Sequence, residues 1–225
     1  MYANSRRIAS RQKDVHQHLA IRVARHAAGQ FRKPIAAHSQ QAFDASIATW
    51  QARGAAPLIL DAGCGVGLSS HHLATLFPTH FVLGVDQSAD RIARGVHWPT
   101  TAPQNMLLVR ADLVDYWRLL HAQSIPLAQH YLLYPNPWPK IGHLGRRWPA
   151  HPVFPTVVAL GGIFTCRSNW RVYVDECAIA VSQLSGRPVS TELLTVETPI
   201  TPFEKKYRDS EQMLWQCQID LSAAL

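Results

Sequence analysis

At 225 residues with 47% apolar side chains, the chain suffices for one large domain with a real hydrophobic core. No window approaches the roughly 18 uninterrupted apolar residues of a membrane span, and no signal-peptide core follows the N-terminus, so a soluble, cytoplasmic protein with no membrane partner is expected. The net charge of +7 sits in residues 1–33, where Arg6, Arg7, Arg11, Lys13, Arg22, Arg25, Arg32 and Lys33 face one acid, Asp14, and the remainder balances.

Such an arm is the footprint of a polyanion partner such as nucleic acid, although a solvated tail or an organelle transit peptide has a similar composition. Within and after it, "VHQHLAIRVARHAA" and "SQQAFDASIATWQAR" carry apolar residues at helical spacing, the second with Phe43, Ile47 and Trp50 at i, i+4 and i+7. Residues 1–52 therefore read as a basic arm with leading helices, and residues 53–225 as the main domain.

From Leu58 short apolar runs alternate with amphipathic stretches. "LILDA", "HFVLGVD", "NMLLVR", "HYLLYP" and "GIFTCRS" read as strands, and "LSSHHLATLF", "SADRIARGV", "DYWRLLHAQ" and "WRVYVDECAIAVSQL" as helices. Strands that are apolar throughout and separated by helices imply a parallel sheet covered on both faces. "RPVSTELLTV" and "QMLWQCQIDL" add a final pair, one of them antiparallel. The expected fold is α/β: a doubly wound, mostly parallel seven-stranded sheet with helices on both faces.

Cys64, Cys166, Cys177 and Cys217 form no C-x-x-C pair and are read as reduced thiols. The adjacent His71 and His72 cannot share a helix face, and no H-E-x-x-H occurs, so no metal is expected.

"LILDAGCGVGLSS" puts Asp61, Gly63, Gly65 and Gly67 at the turn from the first strand into a helix, where glycine lets backbone approach a ligand. The spacing is G-x-G-x-G, not the G-x-G-x-x-G that seats a pyrophosphate, which suits a ligand with an amino-acid moiety and no phosphate. Asp86 in "VDQS" ends the second strand, where a carboxylate can accept ribose hydroxyls. Asp112 in "VRADL" ends the third. Each acid alone would serve as a helix cap; three at consecutive strand ends point to a ligand.

"LLYPNPWPKIGHLGRRW" then runs from the fourth strand into Pro135, Pro137 and Pro139, which fix φ and supply no backbone donor. A stiff, extended loop at the carboxyl edge of the sheet is expected, where open α/β sheets bind ligands. It lies within a span free of acids between Asp115 and Asp175 that holds Arg118, Lys140, Arg146, Arg147, Arg167 and Arg171.

The glycine turn and its three acids resemble class I methyltransferases that bind S-adenosylmethionine. That resemblance implies Asp61 near the methionine part, Asp86 on the ribose and Asp112 beside the adenine, with Gln87 and Ala111 also binding the cofactor. "YPNPWPK", "RSNW" and "TPFEKKYRDSEQMLW" further resemble the tRNA (guanine-N7)-methyltransferase family, whose loops follow P-D-P-W-x-K, T-D-W and T-x-F-E-x-R-G, in matching order from about Leu58 to Trp215. It implies a catalytic Asn136 beside the cofactor, and a substrate surface of Trp138, Lys140, Arg146, Arg147, Asn169, Thr201, Phe203, Glu204 and Lys206. This chain departs from the pattern at Asn136 and Asn169, which replace aspartates, and at Lys206 and Tyr207, which replace arginine and glycine.

Guanine N7 carries a lone pair and no proton, so attack on a sulfonium methyl needs alignment more than a base, and an asparagine can stand where the family has an acid. The reading is an S-adenosylmethionine-dependent RNA methyltransferase acting on tRNA. Methylation of another base, an amine or a small molecule, or RNA binding without efficient catalysis, are the alternatives.

Overall fold

The computed structural model describes residues 5–95 and 103–222. Strands β1 (Leu58–Ala62), β2 (Phe81–Asp86) and β4 (Gln129–Leu133) are buried at every position, as strands apolar on both faces require. With β3 (Met106–Arg110), β5 (Ile163–Ser168), β6 (Glu192–Leu194) and β7 (Leu214–Asp220) they form one sheet in the order β3-β2-β1-β4-β5-β7-β6. The first five pair in parallel, and β7 runs antiparallel to both β5 and β6. The chain steps outward from β1 to β3 and then returns to the other side of β1 at β4. That reversal opens a crevice at the carboxyl ends of β1 and β4.

Alternation along the strands divides the core in two. Leu58, Leu60, Phe81, Leu83 and Leu132 face the larger cluster, while Ile59, Val82, Tyr131 and Leu133 face the smaller. The larger is roofed by α1 (Leu19–Ala28), α2 (Ala37–Ala52), α5 (Leu113–Ala122), α6 (Phe154–Ala159) and α7 (Arg171–Ser185), with α1 packed on α7 and α2 on α5. On the smaller side lie α3 (Leu68–Leu76) and α8 (Pro202–Asp209), through Leu73, Ala74 and Tyr207. Between β2 and β3 the helix α4 (Ala89–Gly95) covers most of the predicted stretch, whose last residue, Val96, lies outside the described residues.

The first leading helix begins at Leu19, later than the apolar spacing from Val15 suggests, because the preceding residues form an extended strap. Two 3-10 turns, Ile141–Arg146 and Trp148–Ala150, and the helices α6 and α8 were not legible as periodic segments. All four cysteines are buried and free. Among the described residues no helix is long and apolar enough to cross a membrane, and no cluster of acids, cysteines and histidines is arranged to hold a metal ion.

Gly162 leads into β5 at a φ of +73°, where an added Cβ would lie 2.3 Å from the Leu127 carbonyl oxygen. Gly162→Ala is expected to lower stability by about 1–3 kcal/mol, read as a lower urea midpoint; an unchanged midpoint would show that the turn relaxes freely.

Candidate active site

The glycine turn follows β1 directly. Gly63, Gly65 and Gly67 have φ of +80°, +61° and +77°, left-handed values that side chains resist, and a Cβ on Gly67 would come within 2.7 Å of Leu108. Asp61 lies beneath the turn, 1% exposed. Its Oδ2 accepts from the hydroxyls of Ser69 at 2.5 Å and Ser70 at 2.7 Å, both on the first turn of α3. Burial outweighs these two bonds and, with Asp86 adding repulsion, raises its pKa to about 6.

Asp86 closes the turn from the side of β2. Its Oδ2 accepts from Gly65 N at 3.1 Å, its Oδ1 from Ser88 N at 2.8 Å, and Arg91 Nη1 stands 3.6 Å away. Ala111 is buried and Gln87 exposed. Asp112 is half-buried, and it is a helix cap: Oδ1 accepts from Val114 N at 2.9 Å, and Oδ2 pairs with Lys33 at 2.8 Å. Lys33 thus brings the end of the basic arm to the third acid.

The proline loop leaves β4 through two aromatic residues in the left-handed region, Tyr134 at φ +50° and Trp138 at φ +45°. Between them Asn136 is exposed, its Oδ1 accepting from Trp138 N at 3.4 Å. The Trp138 ring lies edge-on to His143 at 5.5 Å, and the exposed Arg146 places its guanidinium 4.7 Å from the ring centre. Three successive carbonyls of the loop receive donors from elsewhere. Arg147 Nε donates to Trp138 O at 3.2 Å, Ser10 Oγ to Pro139 O at 2.6 Å, and Arg147 Nη2 to Lys140 O at 3.3 Å.

Arg147 is itself fully buried. Its Nη1 donates to both oxygens of Glu176 on α7, at 2.6 and 2.7 Å, and its Nη2 to Gln12 Oε1 at 2.9 Å. Gln12 Nε2 and His16 N also donate to Glu176. The pair joins the arm, the loop and α7.

On the other side, Tyr134 Oη donates to Glu204 Oε1 at 2.9 Å, and Arg167 Nη1 pairs with the same oxygen at 3.1 Å. Thr201 Oγ1 accepts from Glu204 N at 2.8 Å and Glu204 Oε2 from Ile200 N at 2.8 Å, so both residues cap α8. Phe203 is exposed and stacked on Tyr207 at 6.1 Å. Asn169 Nδ2 donates to Gln212 at 2.9 Å, and Gln212 in turn to Ser5 O at 2.8 Å, a further tie to the arm.

A family model described as "Putative methyltransferase" matches residues 55–217. The chain belongs to this methyltransferase family. The tRNA (guanine-N(7)-)-methyltransferase of Acinetobacter baylyi is 29% identical over 123 residues, covering 53% of this chain and 49% of that one. Its counterpart in Bordetella pertussis is 29% identical over 138 residues, covering 60% and 53%. The match thus spans about half the length of these curated relatives. A solved structure of an antibiotic-related methyltransferase is similar with a TM-score of 0.54 at 13% identity, covering 87% of this chain and 98% of that one, a likeness of fold.

Within this methyltransferase fold, three of the expected substrate contacts lie in the interior. Arg147, Thr201 and Glu204 are internal, and their polar atoms are taken up by the loop, α7 and α8. Lys140, Arg146 and Phe203 are exposed, and Trp138, Asn169 and Lys206 half-buried. Ser69, Ser70, Lys33, Gln12 and Glu176 were missed. Only Glu176 had a signal: it shares the apolar stripe of Val172, Tyr173 and Ala180 on α7, where an acid requires a partner.

Asp61 gives the fold a pH signature. The unfolded chain releases the Asp61 proton near pH 3.8, while the folded chain keeps it to about 6. Folding stability, relative to Asp61→Asn, is therefore expected to fall as pH rises through that window, by about 3 kcal/mol, and to stay level above it. Paired urea unfolding curves at pH 4 to 7 check this; parallel profiles would place the Asp61 carboxylate in an ordinary aqueous environment.

Proposed function

We propose that the chain uses S-adenosylmethionine to methylate RNA, with N7 of a tRNA guanine as acceptor. Residues 53–225 form the methyltransferase domain and residues 1–52 an RNA-docking extension. The observation that carries the reading is Asn136, exposed on a pinned loop that leaves the carboxyl end of β4, the strand paired with the β1 that leads into the glycine turn. Membership of the methyltransferase family and the activity named for the two relatives support it.

The residues present suit the cofactor. Asp61 is a buried carboxylate whose side-chain partners are two neutral hydroxyls, a site fitted to an ammonium group such as that of the methionine part. Asp86 has each oxygen engaged by one amide, which leaves further lone pairs for the ribose hydroxyls. Gln87, Ala111 and Asp112 border the adenine position, and the glycine backbone admits close approach. When bound, S-adenosylmethionine supplies a methyl group activated by its sulfonium.

The chain's own task is alignment. Guanine N7 has no proton to lose, so no side chain need act as a base. The Asn136 carbonyl accepts from Trp138 N, and its amide is then the donor for an acceptor such as guanine O6. Trp138 flanks the base, Lys140 and Arg146 take phosphate, and Phe203, Asn169 and Lys206 line the outer wall.

Full-length protein is incubated with methyl-labelled S-adenosylmethionine and tRNA lacking 7-methylguanosine, and the nucleosides are analysed. Label is expected in 7-methylguanosine. Asn136→Ala is expected to slow single-turnover transfer roughly 10-fold or more through a missing hydrogen bond, and Asn136→Asp to retain or raise the rate, since a carboxylate stabilises the cation forming on the base. Label in an exocyclic amino group, or loss of transfer in Asn136→Asp with cofactor binding intact, would reassign the acceptor. No label in any RNA would refute the reading.

A further inference from the structure

A cavity of about 390 Å³ opens between α1 and the 3-10 turn that follows the proline loop. Arg22 and Arg25 of α1 line it together with His16 and His18, and no acid is among its lining residues. Ile21 and Ile141 also line it, 70% and 49% exposed.

The electrostatics of this cavity are unbalanced. Arg22 and Arg25 are three positions apart on one helix, where like charges repel, and neither has a carboxylate within ion-pair distance among the described residues. The acid facing this region from α7, Glu176, is held by Arg147 and accepts from the backbone of His16 at 3.1 Å. Burial, with His18, Arg147 and Arg22 adding repulsion, holds His16 below the usual histidine range despite Glu176. Arg22 is also placed, not merely present. Its guanidinium lies across Gly145, where a Cβ would come within 2.7 Å of Nη1. Two adjacent guanidinium forks over an acid-free concavity match a phosphodiester, which they can meet in bidentate fashion.

The cavity continues the active-site loop. Ile141 follows Lys140 directly, and the strap leading to His16 is fastened to that loop through Ser10 and Pro139 O. Resting on the reading of RNA as substrate, we infer that this cavity is a backbone-phosphate subsite for a nucleotide neighbouring the acceptor base. Arg22 and Arg25 hold the phosphate, and Ile21 and Ile141 pack against its sugar or base.

The test measures binding of an unmodified tRNA transcript to the full chain by fluorescence anisotropy across a salt series. Arg22→Gln with Arg25→Gln is compared with Arg53→Gln plus Arg187→Gln. These control arginines border the amino-terminal edge of the sheet, before β1 and beside the end of β7 that pairs with the start of β5. The subsite pair is expected to weaken binding about 10-fold or more and to make the slope of log K against log salt shallower by about 0.7 to 0.9 for each phosphate that the variant no longer neutralises. The control pair should change both much less. Unchanged S-adenosylmethionine affinity and unfolding midpoint show that the variants fold, and Gly145→Ala, which displaces Arg22 without changing charge, gives an independent, smaller weakening. Equal weakening by both pairs, or no change in slope, would overturn the subsite. If the parent transfers no methyl to tRNA yet the two pairs still differ in binding, the methylation reading fails and the subsite stands.

Discussion

A fully buried ion pair, Arg147 with Glu176, is the interaction on which the candidate site depends. Three of the loop residues from Pro135 to Lys140 are prolines, without backbone donors, so the loop cannot knit itself into a ladder. It is held by its carbonyls instead, and two of the three side-chain donors that reach them come from Arg147. A buried arginine can serve in this way only if its charge is answered, and Glu176 accepts from it on both oxygens. Replacing such a pair by apolar residues is often neutral for stability, so its contribution here is to position rather than to hold the fold together.

The same logic explains the arm. Ser10 donates to the remaining carbonyl, Gln12 bonds to both members of the pair, and Ser5 meets Gln212, which receives Asn169. A segment that composition marks only as basic therefore carries its charges on a strap fixed beside the loop, and Arg6, Arg7, Arg11 and Lys13 remain exposed on it. Opposite, Tyr134, Glu204 and Arg167 form a second clamp at the loop's entry. Asn136 stands between the two, which is how an exposed side chain on a loop acquires a fixed direction.

The sheet was legible because its strands are apolar on both faces and bounded by glycines and acids at their carboxyl ends. The glycine turn was legible because left-handed φ at Gly63, Gly65 and Gly67 admits few other residues. What the sequence hid were long-range partners. Arg147 sits in a basic run that looks solvated, and nothing local says that Glu176, 29 positions on, receives it. Thr201 and Glu204 look like substrate contacts through the family motif, yet their spacing is also that of a helix cap, and the cap is what the fold uses. Asp112 shows the same competition: it ends a strand, caps a helix and pairs with Lys33, so a strand-end acid is not by itself a ligand contact.

The Arg147–Glu176 pair fixes the loop and does little for the rest of the fold. Native-state hydrogen exchange on Arg147→Met with Glu176→Leu, compared with the parent, tests it most directly. Residues 134–150 are expected to exchange at least about 10-fold faster while β1 and β4 keep their protection. Unchanged exchange in 134–150, or equal acceleration through the whole sheet, would contradict it.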